Sequence, residues 1–165
     1  MKHIRLPLRY LPKKLTRKDR KKQINMLLKS KKMYKQRKYY TRKKLQSYPN
    51  KTSKHIQNAR KIYNVTKITP NKELASATGC SISALQQIVK KGEGAYYSSG
   101  SRPNQTPQSW GYARLASSIT AGKAAAVDYD ILDKGCNHTK KAFILAKKSR
   151  QKYNYGRRKT QKVSI

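Results

Sequence analysis

The chain has 165 residues, with 41 Lys and Arg against six Asp and Glu, for a formal charge of +35. That length allows one domain of modest size, and acids this scarce cannot supply general bases freely, so an enzyme is not expected. The longest apolar run, Ala142 to Ala146, is far too short to cross a bilayer, and no apolar core of signal-peptide length follows the basic N-terminus.

The charge is laid out in blocks. Residues 1–70 hold 24 bases and one acid, Asp19; residues 71–139 hold seven bases and five acids; residues 140–165 hold ten bases and no acid. We therefore expect a basic N-terminal arm with one or two helices (1–68), a near-neutral helical core domain (69–139), and a basic C-terminal helix and tail (140–165). The fold class is mainly α, with long basic, partly extended arms. Self-repulsion at this charge density opposes compaction, so the arms need counter-charge from a partner. About 70 residues is near the lower limit for an unaided core, which makes the centre marginal by itself.

In chain order, Pro7 and Pro12 keep residues 1–15 extended. Thr16 followed by Asp19 starts a helix in the manner of a capping box, and it runs to about Leu45 with Ile24, Leu27, Leu28 and Tyr34 near one face. A second helix spans about Ser53 to Tyr63. Thr69-Pro70 reads as a cap with Pro at the first helical position, and Gly79 closes that helix. Ser81 caps the next, with Ile82, Leu85, Ile88 and Val89 inward and Gly92 at its end. Turn formers fill Gly92 to Asn104. Thr106-Pro107 starts a helix holding Trp110 as core anchor and ending at Gly122. A further element covers Lys123 to Leu132, stopped by Gly135, and a basic helix runs from Thr139 to about Tyr153.

Four constellations bear on chemistry. Ala75, Gly79, Cys80, Leu85 and Ile88 stand at the spacings of a helix-turn-helix, in which a small residue lets the helices cross and Gly takes the left-handed turn. Ser81, Ser83, Gln86 and Gln87 would then lie near base edges; a plain helical hairpin uses the same packing. The Gly/Ser-rich segment Lys91 to Gln105 lacks a phosphate-loop pattern and reads as a structural loop locked by Tyr96, Tyr97 and Arg102. Asp128, Asp130 and Asp133 lack the later Gly and Glu of a calcium loop and are expected to pair with the basic arms. Cys136-x-His138, with Cys80 and His55 elsewhere, falls short of a four-ligand zinc set. Neither metal nor cofactor is expected. The two cysteines have no disulfide-framework spacing and are read as unpaired, in a reducing compartment.

The run from Lys91 through Ser98-Ser99-Gly100-Ser101-Arg102-Pro103-Asn104-Gln105-Thr106, then Ser109-Trp110-Gly111, Ala113-Arg114-Leu115-Ala116-Ser117, Gly122-Lys123-Ala124 and Val127-Asp128, resembles a small domain family of unknown function. That family is associated with nucleocytoplasmic large double-stranded DNA viruses, and the resemblance covers roughly residues 70–150. It implies a virus-encoded protein and supplies no catalytic residues. Charge and resemblance together suggest a minor capsid component beneath the outer shell of a virion assembled in the host cytoplasm. Its arms would cement major and other minor capsid proteins, and would meet viral DNA or the internal membrane surface without spanning it. The alternative is a DNA-binding protein, for genome condensation or helix-turn-helix recognition. In either case the residues expected on the acidic partner are Arg17, Arg20, Lys21, Lys22, Arg37, Lys38, Arg42, Lys43, Lys44, Arg157 and Arg158.

Overall fold

Short polar side chains start the first four helices. The computed structural model describes residues 3–157 and 159–165, so Arg158 lies outside the described residues. The chain is mainly helical, as its composition implies: α1 (Arg17–Lys35), α2 (Lys54–Tyr63), α3 (Lys72–Thr78), α4 (Ile82–Ser98), α5 (Pro107–Ile119), α6 (Lys123–Val127), α7 (Tyr129–Gly135) and α8 (Lys141–Lys152). Two short strands, β1 (Arg5–Pro7) and β2 (Lys162–Ser164), pair antiparallel with Leu6 opposite Val163. The side chains of Thr16, Ser53 and Ser81 accept the backbone N–H groups of Asp19, His55 and Ala84, satisfying donors that a helix start leaves free.

Four boundaries differ from the sequence reading. α1 stops at Lys35 rather than near Leu45, because Gln36 leaves helical geometry and Arg37 is left-handed (φ 59°). The cap of α3 is Asn71, not Thr69: its Oδ1 accepts from the Leu74 N–H at 2.8 Å while its Nδ2 donates to the Thr69 hydroxyl. α4 does not end at Gly92 but runs through Gly92 and Gly94 to Ser98. The single element expected over Lys123–Leu132 is two helices, α6 and α7, which meet at Asp128.

By its internal contacts the chain forms two units. The first comprises Met1–Lys51, Gly94–Pro107 and Lys159–Ile165; the second comprises Thr52–Glu93 and Gln108–Arg158. The second has the conventional apolar core: Leu74, Leu85, Ile88, Leu115, Ile119, Leu132, Phe143 and Ala146 are all buried. α4 and α5 touch backbone to backbone at a glycine pair, since a Cβ on Gly92 would stand 2.6 Å from Gly111 Cα. Trp110, expected to anchor this core, is only half-buried and outside the buried cluster; Phe143, 1% exposed, and Tyr63 are the large rings inside.

A set of ion pairs and a disulfide tie this unit together, and both correct the sequence reading. Asp128 is buried and accepts two hydrogen bonds from Arg114, at 2.8 and 2.7 Å, with Lys91 Nζ at 3.5 Å. Its partners are therefore in the middle of the chain, not the basic arms, and Asp133 likewise faces His138 at 3.0 Å. Cys80 and Cys136 are joined as a disulfide, so neither is a free thiol. The turn after α3 and the residues after α7 run antiparallel there, with the Ser81 N–H donating to the Gly135 carbonyl and the Asn137 N–H to the Gly79 carbonyl, both at 2.8 Å. That bridge brings the two Cα atoms to 3.8 Å, a proximity no spacing in the sequence signals.

The first unit is organised differently. Its apolar interior is Leu6, Tyr10, Leu11, Leu15, Leu27, Leu45 and Tyr96, and Gly100 (φ +110°) admits Leu27 Cδ2 to 2.7 Å of where a Cβ would sit. Beside these apolar residues lies a set of buried polar groups on which the basic surface is mounted.

Candidate nucleic-acid interface

α1 turns a narrow, largely polar stripe inward: Asp19, Gln23, Leu27 and Ser30 recur at helical spacing and are buried. Arg17, Lys18, Lys21, Lys22, Lys29, Lys32 and Lys35 are exposed on the remaining circumference. Asp19, the one acid among the 24 ionised Lys, Arg, Asp and Glu side chains of the first unit, does not dilute that surface. Its carboxylate accepts from the Ser47 hydroxyl at 2.6 Å and the Ser47 N–H at 3.0 Å, and these bonds, in that order, hold it below its ordinary pKa of 3.8. With 23 bases and this single acid, the unit has a net charge of +22.

Arg42 corrects the expected surface set, because its guanidinium is buried. Nη1 donates to the Ser30 hydroxyl at 3.0 Å and the Tyr96 carbonyl at 2.9 Å, and Nη2 donates to the Ser101 hydroxyl at 2.8 Å. Ser30 in turn donates to the Tyr97 carbonyl, and Ser101 to the Arg102 carbonyl, which aims their lone pairs at the guanidinium. The Arg42 carbon Cζ lies 3.7 Å over the Tyr96 ring, and its backbone N–H donates to the Tyr96 hydroxyl at 2.8 Å. Burial lowers the pKa of Arg42 and raises that of Tyr96. The Gly/Ser-rich segment is thus locked as a structural element, with Tyr96 and Tyr97 taking part. Its arginine clamp is Arg42, while the expected Arg102 is exposed. Asn104 completes the lock, accepting from the Leu45 N–H at 2.6 Å and donating to the carbonyls of Leu45 and Tyr48.

The other expected contacts remain outside. Arg17, Lys21, Lys22, Arg37, Lys38, Lys43, Lys44 and Arg157 are exposed; Arg20 is half-buried, with its guanidinium 3.5 Å from the Leu11 carbonyl. Lys31 is pushed below its ordinary pKa, first by burial and only then by its cationic neighbours Lys162 and Lys35. Between Arg37 and Tyr40 the chain presents Tyr39, 69% exposed, its ring 5.0 Å from Tyr97 and 6.3 Å from Tyr34. A flat ring among lysines and arginines offers a stacking face beside charges suited to phosphate.

In the second unit α3, a turn and α4 reproduce the expected helix–turn–helix order. Gly79 holds the left-handed turn (φ +75°), Leu74, Leu85 and Ile88 are buried, and Ala75 packs against that cluster. Ser81, Ser83, Gln86 and Gln87 are all exposed, as is Lys90, which the sequence reading did not single out. Lys90 was legible as the next outward position of the same helical stripe.

Over residues 7–135 the chain matches a family of unknown function (DUF5824), and it belongs to that family. The match takes in α1 and the Arg42 clamp as well as the middle of the chain, and so reaches further toward the N-terminus than the motifs alone suggest. No curated protein and no solved structure matches it. Among the described residues no helix is long and apolar enough to cross a membrane.

Proposed function

We propose that this member of the DUF5824 family binds nucleic acid, through the cationic surface of its first unit. The supporting observation is the segregation of charge there: 23 bases, with the only carboxylate side chain turned inward onto Ser47. A surface with no exposed acid attracts a polyphosphate from every approach and releases its condensed counterions on contact. The exposed Lys21, Lys22, Lys43 and Lys44 belong to that surface; Arg42 holds it from within. Fluorescence anisotropy with a labelled duplex over a salt series tests the reading. Contacts to six or more phosphates lose about 10³-fold in affinity or more between about 50 and 200 mM salt. Binding that is undetectable, or insensitive to salt, sinks it.

A second reading, a minor capsid protein beneath the shell of a large DNA virus, is supported by a different feature. Ile4, Leu8 and Ile165, which flank the strand pair, are 45, 42 and 40% exposed, which suits contact with another protein. The motif resemblance to domains of such viruses points the same way, with capsomers, other minor capsid proteins or the internal membrane surface as partners. Mass spectrometry of purified virions should then find the chain at fixed stoichiometry after nuclease treatment. Absence from particles ends this reading.

A further inference from the structure

We infer that α4 reads base edges in the major groove of double-stranded DNA, through Ser83, Gln86, Gln87 and Lys90. The inference rests on the nucleic-acid reading and adds sequence selectivity to it. These four side chains fall at relative positions 0, 3, 4 and 7, which is one stripe of a helix, and all are exposed. The opposite side of the same helix is buried through Ala84, Leu85, Ile88 and Val89, so the stripe cannot turn inward.

Its composition is what distinguishes it from the surface of α1. Where α1 shows lysines, suited to phosphate, this stripe shows two amides, a hydroxyl and one amine, and no acid. An amide can donate and accept at once. Glutamine is thereby matched to adenine, whose major-groove edge offers N7 as acceptor and N6 as donor; lysine matches the O6 and N7 of guanine. The groove of B-form DNA is about 12 Å wide and admits a helix, whereas the deep, narrow major groove of A-form RNA does not. Duplex DNA is therefore the occupant. The second unit's 18 bases and five acids supply a favourable field, and the acids Asp128 and Asp133 face Arg114 and His138.

The turn that presents the stripe is fixed at three points. Gly79 ends α3 in the left-handed region, Ser81 caps α4 through the Ala84 N–H, and Cys80 between them is bonded to Cys136. A Cβ at Gly135 would stand 2.4 Å from the Ala84 Cβ, so the end of α7 braces the first turn of α4 from behind. A rigid mount of this kind is what base-edge readout needs, since a hydrogen-bonded pair tolerates little displacement.

The experiment is in vitro selection by the full-length protein, under non-reducing conditions, from a library of random duplexes of about 30 base pairs, enough for a half-site and its flanks. The expected result is an enriched motif containing adenine. Gln86→Ala and Gln87→Ala should each lose roughly 5- to 150-fold of preference at one position of the motif. Their affinity for random duplex, and its salt slope, should stay at the parent value. Both sites are exposed, so folding is retained, with circular dichroism as the check; Lys90→Ala is the independent third variant, expected to relax a guanine position. If duplexes bind without any enriched sequence, or the motif survives all three variants, groove reading is overturned while backbone binding stands. If no polynucleotide binds at all, both fall.

Discussion

A guanidinium buried without a carboxylate is costly, and Arg42 is held instead by three neutral acceptors and an aromatic face. The two hydroxyls among them are already oriented by their own bonds to carbonyls, so truncation leaves their lone pairs without a donor. Arg42→Ala is expected to destabilise the first unit by about 3 kcal/mol, and Arg42→Lys to recover only part, because an ammonium cannot fork to Ser30 and Ser101 together. Hydrogen exchange at the Arg42 and Ser101 amides under mild denaturant measures this; exchange unchanged by Arg42→Ala refutes the clamp. Asp19 gives the same unit a pH dependence. Its pKa lies below the ordinary 3.8 in the folded state, so its stabilisation is present above that value and is lost as pH falls through the lower, folded one. Acid unfolding followed by circular dichroism should show this loss, and Asp19→Asn should remove that component of the profile. A profile identical in the variant counts against the Ser47 bonds as its cause. In the sequence neither role is visible. Arg42 stands in a basic run beside Lys43 and Lys44, and only the return of the segment 94–107 separates it from them.

Glycine serves two purposes in the helices, and Gly79 and Gly92 separate them. At Gly79 the residue is left-handed and ends a helix; at Gly92 it is helical and lets the α5 backbone approach. Replacing helical glycine by alanine ordinarily stabilises by about 0.8–1.0 kcal/mol. Gly94 has open space where a Cβ would be added, so Gly94→Ala should raise stability by about that amount. Gly92→Ala should do the reverse, by about 1–2 kcal/mol net, because its methyl would meet backbone rather than a flexible side chain. Urea denaturation of both variants decides it, and a stabilised Gly92→Ala refutes the close crossing. The same distinction explains what could be read in advance. Caps at Thr16 and Ser81 act within three residues, and the sequence shows them directly. The left-handed stop at Gly79 and the outward stripe of α4 are equally local. The close approach of α4 at Gly92 involves Gly111, 19 residues on, and the Cys80–Cys136 bond joins residues 56 apart. Such pairings leave no periodic trace.

Across the whole chain, charge and covalent linkage fall in different units, and stability should respond to them separately. The first unit has a net charge of +22 and no disulfide; the second, at +13, contains both cysteines. Repulsion among exposed lysines is screened as the Debye length contracts, from about 10 Å at 0.1 M salt to about 3 Å at 1 M. Raising salt from about 50 to about 500 mM should therefore stabilise the first unit more than the second. A polyphosphate should have the same effect at far lower concentration, by binding the folded surface. Reduction should act on the second unit instead. Opening a bridge between residues 56 apart releases chain entropy worth about 4 kcal/mol in the unfolded state, a large share of the stability of a domain this size. The two can be followed in one sample: Trp110 fluorescence reports the second unit, and hydrogen exchange at Leu27 and Arg42 the first. Thermal unfolding with and without a phosphine reductant should lower the Trp110 transition and leave the salt response of the first unit in place. If salt moves both reporters equally and reduction moves neither, charge and linkage are not divided between the units in this way. The cationic surface would then have to be stabilised by the chain as a whole.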